Sequence, residues 1–308
     1  MRVGDVDLTT RLGSLTLPNP VMTASGTAGH SDELQAYLPL SSLGAVVVKS
    51  LSADPWPGNP PPRVHQTPSG MLNSVGLQGP GVQAWIRDDL PRLQAVGARA
   101  VVSIWGRRVE EYARAASMLT GVEGVSAVEV NVSCPNIEDR RRMFAHSPEA
   151  TAEVLKAVGA VCGLPLWAKL SPNVADLAEV AEAALGSGAE AVTLVNTVLG
   201  MAIDVDQRRP VLGAGGGGLS GPAVHPVAVR AVHDVHAALP DATIIGVGGV
   251  MTGADAVELL MAGASSVQVG TATFRDPRAP RRVLDELEVW CARRGVRSVA
   301  ELIGVAHG

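Results

Sequence analysis

Cysteine and lysine are both scarce in this sequence of 308 residues. The three cysteines are Cys134, Cys162 and Cys291, and no two of them have Cys-x-x-Cys spacing or a histidine cluster beside them. A structural zinc, an iron–sulfur cluster or a disulfide framework within the chain is therefore not expected, and no metal site is predicted. Cys162 and Cys291 lie in apolar helical patterns, where a free cysteine usually serves as a small packing residue.

Aromatic residues make up only 3% of the chain, and the formal net charge is −5 with no basic stripe. Nucleic-acid binding depends on clustered cations and stacking rings, so it is not expected. Residues 1–10 lack the apolar core of a signal peptide, and no uncharged apolar run is long enough to span a membrane. The sequence therefore predicts a soluble, cytoplasmic protein.

What the sequence does contain is a series of short apolar runs, within a composition that is 46% hydrophobic. Each run is bounded by Gly, Pro, Ser or Asn, which is typical of a buried parallel strand, and amphipathic patterns between the runs predict helices. The predicted strands are 20–25, 45–50, 99–105, 126–133, 164–171, 191–197, 243–249 and 266–272. The clearest predicted helices are 81–96, 107–119, 148–161, 174–186, 222–238 and 253–262.

Eight strand–helix units within about 250 residues indicate an α/β fold, a (β/α)8 TIM barrel that forms one domain over residues 1–308. Pro91 is expected to kink or divide its helix. Residues 6–18 predict a short N-terminal hairpin that covers the barrel floor. Long loops are predicted after strands 2, 4 and 6, two of them at 51–80 and 198–221, and loops of such length in a compact domain are usually functional.

The carboxyl ends of the strands form the working face of a TIM barrel. Here those ends carry amines, hydroxyls, amides and a thiol, and the last two strands end in glycines. This set suits a polar, planar ligand with a phosphate. The glycines of the last two strands are the expected phosphate site, because loops there often bind phosphate through backbone N–H groups. The strand-end residues are Ser25, Gly26, Lys49, Ser50, Ser103, Asn131, Cys134, Lys169, Ser171, Asn196, Thr197, Gly248, Gly249, Gly270 and Thr271.

The glycine-rich segment Gly213–Gly218 and the lysine Lys169 each leave alternatives open. The glycines match a GxGxxG pattern, but no buried strand precedes them, so a loop that rims the site is favoured over a dinucleotide-binding turn. Lys169 lies in an apolar strand and is compatible either with a Schiff-base amine or with a fixed positive charge beside an electron-rich ring. The spacing of residues does not decide between these two roles.

Six further segments of the sequence carry distinctive motifs. They are GNPPPRVHQTPSGMLNSVGLQGPG (58–81), NVSCPN (131–136), WAKLSPN (167–173), VNTVLGM (195–201), GGGLSGPAVHPVAVR (216–230) and IIGVGGV (244–250). In this order and with barrel spacing, from about residue 5 to residue 290, the chain resembles class 1 dihydroorotate dehydrogenases. NVSCPN and KLSPN are the specific signals, and TPSGMLNSVGLQ with LSGPA look more like the class 1B catalytic subunit than the fumarate-using class 1A.

This resemblance implies FMN as the cofactor and oxidation of (S)-dihydroorotate to orotate in pyrimidine biosynthesis. Formation of the C5–C6 double bond removes a proton from C5 and a hydride from C6. By similarity, FMN takes the hydride and Cys134 is the base that takes the proton. A free thiol titrates near ~8.5, so the thiolate that acts as the base needs local help or alkaline pH.

The resemblance also assigns residues to the two ligands, position by position. Lys49 is expected near both of them, and Lys169 is expected at the flavin N1–C2=O edge, where a cation stabilises the anionic reduced flavin. The residues implied to bind substrate are Lys49, Asn73, Ser74, Val75, Gly76, Leu77, Asn131, Asn196 and Thr197. Those implied to bind FMN are Ser25, Gly26, Lys49, Ser50, Ser103, Asn131, Lys169, Val195, Gly221, Gly248, Gly249, Gly270 and Thr271.

The sequence departs from the family pattern at three places. Ser103 stands where relatives often have asparagine, which is expected to weaken one flavin contact. Arg140–Arg142 lie in the loop expected to cover the active site, where relatives usually have a glycine-rich segment. A solvated loop and attraction of an anionic substrate or partner are both open for these arginines. His225 replaces a common lysine.

The resemblance to class 1B implies partners. Enzymes of that class pass electrons to a separate subunit that carries FAD and an iron–sulfur cluster, and a homodimer of this chain is also expected. Two other functions stay open. A flavin-free barrel lyase or aldolase would use Lys169 as its covalent amine, and a non-catalytic flavin-binding relative would bind FMN without oxidising dihydroorotate.

Overall fold

The computed structural model describes residues 2–133 and 143–308. In chain order, the strands are β1 (Thr10–Leu12), β2 (Leu15–Leu17), β3 (Val21–Thr23), β4 (Val46–Val47), β5 (Val64–Thr67), β6 (Gly70–Asn73), β7 (Ala100–Ile104), β8 (Val125–Asn131), β9 (Leu166–Lys169), β10 (Ala191–Leu194), β11 (Val198–Gly200), β12 (Ile203–Asp204), β13 (Arg209–Pro210), β14 (Gly217–Ser220), β15 (Ile244–Val247) and β16 (Ser266–Val269).

The α-helices are α1 (Val82–Asp88), α2 (Leu90–Ala95), α3 (Val109–Ser117), α4 (Pro148–Gly159), α5 (Leu177–Leu185), α6 (His225–Ala238), α7 (Gly253–Met261), α8 (Ala272–Arg275) and α9 (Ala279–Arg294). Short 3-10 helices cover Glu33–Ala36, Leu40–Ser42, Phe144–His146, Pro222–Val224, Val299–Leu302 and Val305–His307. In the described part of the chain, no helix combines the length and the apolar character needed to cross a membrane.

Eight parallel strands form the centre of the molecule, in the spatial order β3–β16–β15–β10–β9–β8–β7–β4. The sheet closes where β3 meets β4, through a parallel bridge between Met22 and Ala45 and a hydrogen bond of 3.3 Å from Thr23 N to Ala45 O. Each of the eight predicted strand runs coincides with one barrel strand. The prediction of a TIM barrel is therefore confirmed.

The helices between the barrel strands begin and end at residues that the sequence marks. Ser147 caps α4 with its side chain, and Pro148 occupies the first turn, where a missing N–H costs no hydrogen bond. The predicted helix 81–96 is divided into α1 and α2 at Asp89, next to Pro91. The expected break at this proline is confirmed, because proline cannot donate the backbone hydrogen bond that would continue the first helix.

The hairpin β1–β2 closes the amino-terminal end of the barrel, as predicted. Leu12 and Leu17 are fully buried and pack against inward-facing barrel side chains such as Trp167. The turn of the hairpin is held by Glu190, which accepts hydrogen bonds from Ser14 N over 2.6 Å and from Ser14 Oγ over 2.7 Å. The barrel floor is therefore sealed by hydrocarbon and fixed by polar contacts at its edge.

The segments after β4 and β10 pair with each other in a four-stranded antiparallel sheet, in the order β11–β14–β6–β5, which we call the mouth sheet. Gly218 permits this pairing, because a Cβ at that position would overlap the Thr197 side chain. The interpretation of Gly213–Gly218 as a loop is therefore wrong in part, since Gly217 and Gly218 belong to β14.

Three histidines from α6 and the C-terminal segment pack together on the outside of the barrel. The rings of His233 and His307 stack with their centroids 4.0 Å apart, and the His236 ring lies 4.8 Å from that of His307. Burial lowers the pKa of His236 below its ordinary value, and the neighbouring His307 and His233 lower it further. The folded protein thus favours the neutral imidazole at His236.

We predict that the protein loses stability as the pH falls below about 6.5. Because the pKa of His236 is lowered in the folded state, the unfolded chain binds more protons in this range. The stabilising contribution is therefore present above the unfolded pKa and is lost as the pH falls. The melting temperature of the wild type should fall between about pH 7 and about pH 5. The melting temperature of His236→Gln should fall less steeply over the same range. Equal slopes for the two proteins would show that His236 is not the cause.

Candidate active site

A cavity of about 890 Å³ opens at the carboxyl ends of the barrel strands and is bordered by the mouth sheet. Its volume lies within the range of about 300–1,000 Å³ that is typical of small-molecule sites. Polar and apolar groups both line it, and two of the three lysines of the chain, Lys49 and Lys169, reach it. The end of the barrel at which this fold usually carries out chemistry therefore has a preformed pocket.

The structure brings the nine residues predicted to bind substrate together around this cavity. Asn196 Nδ2 donates to Asn131 Oδ1 over 3.2 Å, and Asn131 Nδ2 donates to Ser50 Oγ over 3.5 Å, so the amides orient one another. The nine lining residues are Lys49, Asn73, Ser74, Val75, Gly76, Leu77, Asn131, Asn196 and Thr197.

The segment that follows β6 lines the cavity with an unusual backbone. Gly76 and Leu77 have positive φ angles of 72° and 62°, a conformation that is strained for leucine. Neighbouring hydrogen bonds hold the segment in place, since Asn59 N donates to Val75 O and Asn59 Nδ2 donates to Ser74 O, each over 3.1 Å. A strained residue held against a cavity indicates a backbone that is shaped for a ligand.

Twelve of the thirteen residues predicted to bind FMN line the same cavity. Ser103 is the exception, because it is fully buried and its Oγ lies 2.9 Å from Ser50 Oγ. The Ser103 hydroxyl therefore contacts Ser50, which lines the cavity, and Ser103 itself is not placed for a direct flavin contact. The twelve lining residues are Ser25, Gly26, Lys49, Ser50, Asn131, Lys169, Val195, Gly221, Gly248, Gly249, Gly270 and Thr271.

Glycine-containing turns after β15 and β16 form one end of the cavity. Gly248 and Gly249 have positive φ angles of 146° and 66°, which L side chains rarely adopt. His225 Nδ1 lies 2.8 Å from Gly248 O and must donate to it, and His225 Nε2 lies 3.1 Å from Glu258 Oε2. The histidine that replaces a common lysine therefore braces the turn after β15.

Three buried polar residues that the sequence interpretation missed contact Lys169 or one another. Gln268 Nε2 donates to Glu129 Oε2 over 2.7 Å, and Thr193 Oγ1 donates to the same oxygen over 3.2 Å. Lys169 Nζ lies 3.4 Å from Gln268 Oε1 and 3.7 Å from Glu129 Oε1. A charged residue inside the apolar run SAVEVNVS is the one signal that could have found Glu129; Thr193 and Gln268 carry no comparable signal.

His30 also lines the cavity and was not predicted from the sequence. Its Nε2 is buried and has no hydrogen-bond partner among the described residues. Burial lowers the pKa of His30; Asp89 and Glu33 oppose this shift, and Lys49 adds to it. His30 therefore offers the cavity an uncharged ring near neutral pH.

The predicted base Cys134 and the predicted lid arginines Arg140–Arg142 lie outside the described residues. The chain just before them is described: β8 ends at Asn131, and Ser133 lines the cavity. Ser133 N donates to Asn131 Oδ1 over 3.2 Å. The role of Cys134 stays a prediction that rests on the resemblance.

The fold and the cavity define a TIM-barrel enzyme whose site suits a planar ligand and a phosphate. A sequence model of the family described as dihydroorotate dehydrogenase matches residues 7–290, and the chain belongs to this family. It is an oxidoreductase that converts dihydroorotate to orotate in pyrimidine biosynthesis, as the sequence predicted.

Curated relatives are similar over nearly the whole chain. A protein of Desulforudis audaxviator is 51% identical over 296 residues, which are 96% of each chain. A protein of Trichlorobacter lovleyi is 46% identical over 301 residues, which are 98% of this chain and 99% of the relative. A protein of Geobacter sulfurreducens is 46% identical over 298 residues, 97% of each chain. All three are named dihydroorotate dehydrogenase B (NAD(+)), catalytic subunit, so the predicted resemblance to class 1B is confirmed.

FMN is the cofactor of class 1B catalytic subunits, and the cavity fits it. The hydroxyls of Ser74 and Ser133 are buried and have no hydrogen-bond partner among the described residues, so a bound ligand can satisfy them. The ammonium groups of Lys49 and Lys169 suit an anionic or electron-rich ligand. The donor set therefore matches a cofactor with a polar ring edge and a phosphate.

Gly249→Ala is predicted to weaken FMN binding about tenfold or more, because the added Cβ displaces a turn that lines the cavity and a bound ligand must then restore a strained backbone at a cost of about 1–3 kcal/mol. A Cβ at this position would lie 2.8 Å from His225 N and 2.9 Å from Gly221 O, so the turn must shift. Gly215→Ala is the matched control, since Gly215 has a φ of 86° but open space around its Cβ and does not line the cavity. FMN titration should show the loss in the first variant alone; equal affinities would contradict it.

Proposed function

We propose that this chain is the FMN-carrying catalytic subunit of a class 1B dihydroorotate dehydrogenase, with Cys134 as the base that removes the C5 proton. The observation that supports these roles is the convergence of Lys49, Asn131, Asn196 and Lys169 on one cavity that ends at glycine-containing turns. FMN, when bound, supplies the hydride acceptor. The side chains of this chain bind and orient the substrate and move the proton.

The substrate is held by one charge and by amide hydrogen bonds. Lys49 is placed to pair with the carboxylate of dihydroorotate, as charge-assisted hydrogen bonds are about twice as strong as neutral ones. Its side chain lies against Gly26, where a Cβ would come within 3.3 Å of Nζ. Asn73, Asn131 and Asn196 offer donors and acceptors for the ring amides of a pyrimidine.

The flavin is held between the two ends of the cavity. Lys169 is placed at the N1–C2=O edge, and Gly248, Gly249, Gly270 and Thr271 are placed around the phosphate. The turn after β15 suits a phosphate, because glycine lets the backbone approach the anion closely.

Anaerobic mixing of the purified protein with dihydroorotate tests the proposal, with visible absorbance as the readout. The expected result is a yellow protein that bleaches on mixing and yields orotate. A yellow protein that does not bleach would support a non-catalytic flavin-binding relative. A colourless protein that borohydride traps covalently with a carbonyl substrate would support a lyase that uses Lys169, and either result would overturn the proposal.

A separate electron-transfer subunit is part of the proposed function. The relatives named above are each called a catalytic subunit and carry NAD(+) in their names. The cysteines of this chain lack the spacing for an iron–sulfur cluster, which is consistent with a separate subunit that carries the cluster, while a lone chain that uses another electron acceptor is the alternative. The chain alone should reduce NAD⁺ far more slowly than the chain co-expressed with an FAD and iron–sulfur subunit; equal rates would argue against a partner.

A homodimer is also proposed. Leu199, Met201, Ile203 and Val205 alternate along the chain at and after β11, and they are 57%, 57%, 60% and 80% exposed. Exposed apolar rows of this kind typically mark protein–protein contacts. Light scattering should give the mass of two chains, and Ile203→Asp should shift it toward one chain. A single-chain mass for the unaltered protein would contradict the proposal.

A further inference from the structure

Glu129 is a fully buried carboxylate in the barrel interior, on β8. Its Oε2 accepts the hydrogen bonds from Gln268 Nε2 and Thr193 Oγ1 described above. Its Oε1 has no hydrogen-bond partner among the described residues and forms an ion pair with Lys169 Nζ at 3.7 Å, which is too long for a hydrogen bond. One carboxylate oxygen is therefore fixed by neutral donors, and the other is left for the ammonium.

Because Lys169 is buried, its ion pair with Glu129 matters for the charge of the amine. Lys169 is only 6% exposed, and burial disfavours a charged amine unless an anion compensates it. Gln268 contacts both partners, because its Oε1 lies 3.4 Å from Lys169 Nζ while its Nε2 donates to Glu129. Side chains from β8, β9, β10 and β16 thus join in one buried network at the base of the cavity.

We propose that Glu129 is a positioning residue that keeps the Lys169 ammonium charged and fixed in one place, whatever the oxidation state of the bound flavin. The inference rests on the proposed placement of the flavin N1–C2=O edge at Lys169. With the charge already present, reduction of the flavin by two electrons takes up one proton, at the flavin itself. Without Glu129, the buried amine favours its neutral form until the reduced, anionic flavin provides a new partner, and Lys169 then takes up a second proton.

The other described groups near Lys169 do not supply the negative charge that Glu129 provides. Gln268 and Thr193 face it or its partner from β16 and β10 and carry no charge. Lys49 and His30 are the other titratable side chains lining the cavity in the described ranges. Both are potential cations, so neither can replace the negative charge of Glu129.

The test is the pH dependence of the reduction potential of bound FMN, measured by dithionite titration with mediator dyes in wild type and Glu129→Gln. A tenfold change in proton concentration shifts a two-electron couple by about 30 mV for each proton taken up. The wild type is expected to show about 30 mV per pH step and the variant up to about 60 mV, because it takes up two protons. A merely structural role for Glu129 would lower stability without changing the slope, and equal slopes would overturn the proposal.

Lys169→Gln and the double variant with Glu129→Gln identify the site of the second proton, with FMN in excess so that the site stays filled. At a pH high enough for free reduced FMN to be an anion, both should return to the one-proton slope, and a double variant that keeps the steep slope there would overturn the proposal. If Lys169→Gln has the wild-type potential at every pH, the proposed flavin placement is what fails.

A shorter carboxylate provides a second variant if Glu129→Gln does not fold, as judged by circular dichroism. Glu129→Asp withdraws the anion from Nζ by about one carbon–carbon bond, about 1.5 Å. Its slope should lie between those of one and two protons. A slope equal to that of the wild type would count against the proposal.

Discussion

Cys134→Ala is expected to slow the anaerobic bleaching of bound FMN by dihydroorotate about 10²–10⁴-fold, the usual contribution of a positioned general base. FMN content and the visible spectrum should be unchanged, because the thiol is proposed to act on the C5 proton and not to hold the cofactor. Cys134 belongs to the NVSCPN segment, and in the described chain just before it Asn131 and Ser133 both line the cavity. Stopped-flow absorbance measures the rate directly.

Cys162→Ala is the matched control for that experiment. Cys162 is buried, and burial raises the pKa of its thiol, so it is a packing residue and not a source of thiolate. It does not line the cavity. The control should bleach at the wild-type rate. If Cys134→Ala also bleaches at that rate, the base must be another group.

Lys169→Ala is expected to have two separate effects. Loss of a hydrogen bond to a charged group, about 1.5–3 kcal/mol, should weaken FMN binding about ten- to a hundredfold. Removing one partner of a buried ion pair typically costs about 3–5 kcal/mol, so the melting temperature should also fall, because Glu129 is left buried and unpaired. FMN titration and thermal denaturation measure the two effects.

Lys156→Ala provides the control for the charge change. Lys156 is exposed on α4, away from the cavity, so its removal should alter neither FMN affinity nor the melting temperature appreciably. Wild-type FMN affinity in Lys169→Ala would contradict the placement of this lysine at the flavin. A wild-type melting temperature would contradict the strength of the Glu129 ion pair.

The barrel itself could be predicted because its signals are local. Each barrel strand is a short apolar run bounded by turn residues, and Pro91 marks the place where the predicted helix 81–96 divides. Leu12 and Leu17 belong to a short alternating segment that the sequence already separates from the barrel. In each case a few neighbouring residues determine the element, so the sequence pattern is sufficient.

The mouth sheet and the network under Lys169 could not be predicted in the same way. The sheet pairs Gly218 with Asn73, so its strands depend on contacts between distant segments and contain glycines, which disfavour strands locally. Glu129 and Gln268 are partners across the barrel, and nothing in either strand alone indicates the other. Ser103 was assigned a flavin contact by the resemblance, because relatives often have asparagine there, and only the structure shows that its hydroxyl lies 2.9 Å from that of Ser50 and that it does not line the cavity.

The sealed floor gives the barrel the form of a cup, with a single rim. Leu12 and Leu17 fill the opposite end with buried hydrocarbon, so within residues 2–133 and 143–308 the hairpin blocks the barrel axis at that end. Dihydroorotate must therefore enter and orotate must leave on the side of the mouth sheet. A redox partner has to approach the flavin over that same rim or through the barrel wall. If it binds at the rim, it must leave space for dihydroorotate to enter and for orotate to leave.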